Sequence, residues 1–176
     1  MANPDVPNGF RPVRGGSSGK SPRVTPYPLA AANDEIGIGT PVYMTSGAIN
    51  RAGTTDALRG IAAEYKAASA GGTILVWDDP EQEFVAQTDD GTGDLTAAAN
   101  LNKNCTFVGT GVTNRQSTAE IDENSGSSTA TLLFKTLRLS KTFHRTAQNA
   151  HGEFNRLVVK INNHQLQGGT GTAGDA

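Results

Sequence analysis

The sequence predicts a mainly β protein: a small sandwich or barrel-like domain behind an extended N-terminal arm. Three observations predict it. Short apolar runs recur between clusters of Gly, Asn and Asp, the spacing of a sandwich or barrel rather than of helices. The 176 residues include 21 Gly and 8 Pro, so turns and extended segments are abundant. Seven of the eight prolines fall in the first 41 residues, which leaves the later chain free to build hydrogen-bonded ladders. The length suits one ordinary domain with an appendage, or two very small domains. We place an arm at 1–23, a β-domain at 24–166 and a disordered tail at 167–176.

The elements follow in order. Residues 1–23, with Pro4, Pro7 and Pro12 and a GGSSG stretch at 15–19, offer too few large apolar groups to offset the entropy of ordering them. The segment reads either as a disordered leader or as an arm that becomes ordered on a partner. In the second reading Phe10 and Val13 are anchors set among Arg11, Arg14, Lys20 and Arg23. VTPYPLAA from Val24 and TPVYM at 40–44 read as edge or extended strands because of Pro26, Pro28 and Pro41. Segment 58–69 is ambiguous: Ala, Glu and Lys favour helix, while its residues also separate into two faces at period two. TILVWDD (73–79) is a buried strand stopped by Asp78-Asp79-Pro80, and QEFVAQT (82–88) follows closely enough to make a hairpin with it. DLTAAANLN (94–102) reads as one or two helical turns behind an Asp cap. CTFVGT (105–110), ATLLFKTLRL (130–139) and FNRLVVKINNH (154–164) are strands. In the last, Leu157, Val159 and Ile161 alternate against Val158, Lys160 and Asn162.

Charge is segregated along the chain. The net is +3 over 1–33, −8 over 34–94 and +3 over 95–176, within a total of −2. Such blocks point to distinct contact surfaces and to pairing between subunits. The near-neutral total argues against a dedicated nucleic-acid binder. No run approaches a membrane span, and the start MANPDVPNGF lacks the apolar region of a secretion signal, so a soluble protein with no membrane partner is expected. One Cys excludes an internal disulfide and a cysteine-based metal cluster.

Few residues are arranged for chemistry. The acids Asp78, Asp79, Glu81, Glu83, Asp89, Asp90 and Asp94 read as a solvated loop, since carboxylates do acid/base work only when burial separates their pKa values. Residues 89–94 (DDGTGD) offer oxygen ligands for calcium without the EF-hand spacing. His144, His151 and His164 show no metal-ligand spacing and read as structural or surface histidines. Cys105 lies in a run that looks buried. There is no GxSxG elbow and no complete phosphate loop. The expectation is therefore no enzyme and no cofactor.

Four stretches together carry a resemblance. They are Ala2-Asn3-Pro4 with Gly9-Phe10-Arg11-Pro12-Val13, and Ile74 to Pro80 with Glu83-Phe84-Val85-Ala86-Gln87. The others are Leu101-Asn102 to Val108-Gly109-Thr110-Gly111, and Arg156 to Leu166. In this order they resemble the small capsid decoration (cement) proteins of tailed bacteriophages, including a V-x-D-D-P … F-x-x-Q pattern. The resemblance implies a non-enzymatic virion protein, made in the host cytoplasm and carried as a trimer on the outside of the expanded head. There it would clamp major capsid subunits through an extended N-terminal arm. It implies a strand before the hairpin, although the Ala- and Lys-rich IAAEYKAAS departs from the family's Val-rich sequence and keeps helix open. Capsid binding would fall to Phe10, Arg11, Val13, Arg14, Lys20 and Arg23, so Phe10→Ala or Arg11→Glu should weaken binding without altering the isolated fold. Apolar content of 36% is low for a lone domain and fits burial between subunits. Two rivals remain: a receptor- or glycan-binding β-module of a head or tail fibre, and a metal-dependent hydrolase built on the acidic cluster.

Overall fold

The computed structural model describes residue 3 and residues 5–13, 21–89, 101–141 and 150–167. Among them the regular structure is β, with no helix and hence none that could cross a membrane. The strands form two larger antiparallel sheets and a two-stranded ribbon.

The larger sheet has six strands in the spatial order β1 (Arg11–Pro12), β7 (Glu83–Gln87), β13 (Arg156–Ile161), β12 (Phe134–Leu139), β8 (Asn104–Val108), β11 (Glu120–Ser127). It curls, because Thr88 just past β7 bridges Ile121 of β11, but it stays short of a closed barrel. Register shifts in β11 and β12 supply local bends. The concave side holds Phe84, Phe107, Phe134, Ile121, Leu157, Val159 and Ile161, so the period-two alternation expected for β13 holds residue by residue.

The second sheet runs β2 (Val24–Pro28), β6 (Thr73–Trp77), β5 (Gly60–Ala62), β3 (Pro41–Thr45), β4 (Ala48–Arg51). It too curls, through a bridge between Leu29 and Ile49, around Ile36, Val42, Ile74 and Val76. Pro26 and Pro28 lie on edge strand β2, where a missing N–H costs no ladder bond. The ribbon, β9 (Val112–Thr113) and β10 (Gln116–Ser117), turns through Asn114 and Arg115, both at positive φ. The two sheets are joined by a bridge from Leu58 to His164. Gln165 reinforces the joint by bonding both the N–H and the carbonyl of Met44.

Several expectations change here. Segments 73–79 and 82–88 both form strands, but they do not form a hairpin. β6 pairs with β2 and β5, while β7 pairs with β1 and β13, so the turn at Asp78–Gln82 carries the chain from one sheet to the other. Local sequence shows where a strand stops; it does not show which distant edge the next one meets. The ambiguous segment 58–69 provides β5 as a short strand, and a Cβ at Gly60 would sit 2.7 Å from the Val76 side chain and press on the Trp77 carbonyl. β12 starts at Phe134, the preceding residues being turn. Of 94–102 only Leu101 and Asn102 are described, so the helical turns expected there lie outside the described residues, as does the tail from 168 on.

Candidate contact surface

Residues 5–13, ahead of Arg14 in the N-terminal segment, pack against the domain. Gly9 adopts a φ of 62°, and a Cβ there would lie 2.8 Å from the Gly39 carbonyl. The chain thus turns tightly past residue 39 and drives Phe10 inward, with its N–H bonded to that carbonyl at 3.0 Å. Phe10 is fully buried, stacked on Phe134 at 4.3 Å and edge-on to Phe107 at 6.5 Å. It is therefore a core residue and no partner can reach its ring. The expectation that residues 1–23 contribute nothing to a core, and that Phe10→Ala leaves the isolated fold intact, is corrected accordingly.

Next along the chain, Arg11 faces outward, opposite Val85, with its guanidinium bonded to the Asn8 carbonyl and side chain at 2.9 and 2.8 Å. Val13 is half-buried and its N–H bonds the Glu83 carbonyl at 2.9 Å. Arg23 pairs with Asp78 at 3.0 Å. Arg14 and Lys20 lie outside the described residues. The stretch that contains them is thus tied at both ends, to the larger sheet through Val13 and to the second sheet through β2.

The acidic segment meets the basic ones within one chain. Glu83 takes both terminal nitrogens of Arg138, at 3.1 and 2.5 Å, and Glu81 accepts from Lys160 at 2.7 Å and from Gln167 at 2.8 Å. These bonds hold the Glu81 carboxyl below the usual carboxylate range. Asp78 is 1% exposed and accepts from Arg23, Thr25 and Tyr27 at 3.0, 3.0 and 2.5 Å. Burial alone would push its carboxyl up; the three donors outweigh burial and hold it down. Arg59 lies over the Tyr27 ring at 4.8 Å and donates to its hydroxyl at 2.9 Å. Asp78 and Glu83 are thus parts of ion-paired joints, a correction to the solvated loop expected for them. Opposite charges from the acidic and basic segments thus meet within a single subunit at these joints.

His164 is buried, its Nδ1 accepts from the Leu166 N–H at 3.0 Å, and burial with the Arg59 charge holds the imidazole down at about 4. His151 is exposed, and His144 lies outside the described residues. The buried Cys105 thiol is pushed up by burial and by Asp122, away from nucleophilic chemistry. Among the described residues no group of three His, Cys, Asp or Glu could hold a metal; residues 90–94 of the DDGTGD loop are not among them.

One acidic cluster is pH-sensitive. The Gln87 side chain donates to Asp5 at 3.1 Å and to Glu120 at 3.2 Å, and accepts from the Val6 N–H at 3.2 Å, pinning the N-terminal segment to β7 and β11. Burial, then the charges of Asp5 and Asp89, pushes the Glu120 carboxyl up to about 7. A carboxyl raised in the folded state stabilises the fold while protonated, and that contribution is lost as pH rises from about 4.5 through 7. Glu120→Gln should therefore raise stability by about 1 kcal/mol above pH 7, after solvent screening of this half-buried group, and change little below pH 4.5. Urea titrations of both proteins at pH 4 and pH 8 check this, and an equal effect at both pH values would contradict it.

Sequence reasoning found Arg11 but missed the basic residues of β12 and β13 that share its face: Lys135, Arg138, Arg156 and Lys160. The signal was present as bases alternating with apolar residues in FKTLRL and RLVVKI. Compared with known family models, curated proteins and solved structures, the chain matches none of them.

Proposed function

We propose that this protein is a structural component of a tailed-phage virion, a decoration protein that binds the outer surface of the expanded head as a trimer and bridges major capsid subunits. The sequence likeness supports this reading. The structural observation that carries it is the way the N-terminal segment is fastened. β1 is bonded to β7 in the larger sheet, Phe10 plugs the core behind it, and Arg23 and β2 hold the other end of the basic stretch in the second sheet. A load taken up by Arg14 or Lys20 would pass at once into both sheets, which is what a clamp under internal pressure requires. Arg11 stays available at the surface; Phe10 serves as an internal anchor.

The glycan-binding alternative ranks second because the three tyrosines and the tryptophan are already engaged. Tyr27 lies beneath Arg59, Tyr65 beside Arg115, and Tyr43 and Trp77 against the larger core, so they are poor stacking platforms.

Co-sedimentation with expanded, undecorated shells tests the proposal. Deleting residues 1–23 would remove Phe10 and unfold the domain, so the variant to use is Arg14→Ser with Lys20→Ser. We expect saturation at about one copy per capsid subunit, as repeated modest contacts around a shell allow, and weaker binding of the variant. No binding would favour the adhesin, and saturation at a few copies per head would favour a fibre.

A further inference from the structure

We propose that the outer face of the six-stranded sheet, across β1, β13 and β12, is a docking surface for an acidic protein. Five basic side chains point outward there: Arg11, Arg156, Lys160, Lys135 and Arg138. Their orientation follows from their neighbours, since Phe10, Leu157, Val159, Ile161 and Phe134 fill the core on the opposite side. Among the described residues Glu83 answers Arg138 and Glu81 answers Lys160, and Arg156 is engaged at the Val6 carbonyl, so Arg11 and Lys135 carry the excess. The face keeps a positive excess although the whole chain has a net charge of −2.

Two details make this more than a solvated surface. Lys135 stands directly opposite Lys160 in the β12–β13 register, and its neighbour on the other side is the uncharged Asn104. Like charges facing across strands are unfavourable, and Lys160 already has Glu81. Lys135 is exposed and has no ion pair among the described residues, so a carboxylate from outside would relieve the repulsion. Arg11 is half-buried and held in place by neutral Asn8 groups, with no carboxylate on it among the described residues. A preoriented guanidinium of this kind suits an incoming carboxylate. Between Arg11 and Arg138 lie the half-buried Val85 and the buried Val158, which contribute no charge to the face. A protein fits the surface better than a nucleic acid, because Glu120, bonded to Gln87 beside Arg156, borders the face where the sheet curls and would repel a long polyanion.

Naming the capsid subunit as the occupant rests on the proposed function; the acidic docking face itself does not. The test compares full-length wild type, Lys135→Glu and, as a control on the second sheet, Lys66→Glu. Thermal melting should show Lys135→Glu as stable as wild type, since a carboxylate at position 135 would face Lys160. On expanded shells in moderate salt, Lys135→Glu should bind about tenfold more weakly, roughly 1.4 kcal/mol, and Lys66→Glu should match wild type. Equal binding of all three would overturn the face and leave the decoration reading standing. If wild type does not bind shells, the decoration reading fails and immobilised polyglutamate becomes the probe. Salt-sensitive retention of wild type and its loss in Lys135→Glu would support the face, and no retention would overturn it. Stronger retention on duplex DNA than on polyglutamate would overturn it in favour of nucleic acid. Sedimentation showing a wild-type oligomer that Lys135→Glu dissociates would overturn it in favour of a second copy of this chain.

Discussion

Phe10→Ala should destabilise the isolated protein by about 3–5 kcal/mol, the range for emptying a buried aromatic site. For a chain of this length that corresponds to a fall in melting temperature of roughly 10 °C or more. Phe10 is 0% exposed and forms the middle of an aromatic trio, since Phe107 and Phe134 also meet edge-on at 6.4 Å. Removing the ring opens a cavity and forfeits both aromatic contacts, while the Gly9 turn and the β1–β7 pairing limit how far the chain can collapse into the gap. Thermal melting of the purified variant measures this directly. An unchanged melting temperature would return Phe10 to the role of a surface anchor. Phe10→Leu, which retains most of the apolar volume, should recover much of the loss.

Asp78→Ala should cost about 2–4 kcal/mol, somewhat less than breaking a fully buried ion pair. The carboxylate is buried, but Arg23 is 58% exposed, so its loss strands the Thr25 and Tyr27 hydroxyls rather than a buried cation. Arg23→Ala alone should cost well under half as much, because water replaces the exposed partner. The pH sign follows from the carboxyl's position below its ordinary value of 3.8: its contribution is complete above that value and is lost as pH falls through the folded value. Urea titrations at pH 7 and pH 3 should show the variant's deficit shrinking at the lower pH. A deficit of the same size at pH 3 would mean that the carboxylate's charge is not what Arg23, Thr25 and Tyr27 recognise.

Both residues show how a correct local reading can miss the role of a side chain. Gly9-Phe10-Arg11-Pro12 already alternates inward and outward like a short strand, yet proline and arginine make the same stretch read as an arm. Its strand character depends on β7, more than 70 residues away in sequence at Val85 and Phe84. Asp78-Asp79-Pro80 was legible as the end of a strand. That Asp78 turns inward is decided by Thr25 and Tyr27, which β2 places alongside β6.

The sequence by itself determined the mainly β class, the positions of β2, β3, β6, β7, β8, β12 and β13, the inward residues of β13, the burial of Cys105 and the opposed charge blocks; it did not reveal β1, β4, β9, β10 or the polar β11. What it determined depends on neighbours one or two residues apart, where side-chain alternation, proline and glycine act directly on the backbone. The tertiary structure alone decided that β6 and β7 belong to different sheets, that Phe10 closes the larger core, and that Asp78, Glu81 and Glu83 meet their bases within one subunit. It also gathered Arg11, Lys135 and Lys160 onto one face. These outcomes depend on registers between segments more than 70 residues apart, such as Arg11 opposite Val85 and Val85 opposite Val158. Such pairings are chosen by the total burial and ladder bonding of the whole fold, and no local window of sequence contains that sum.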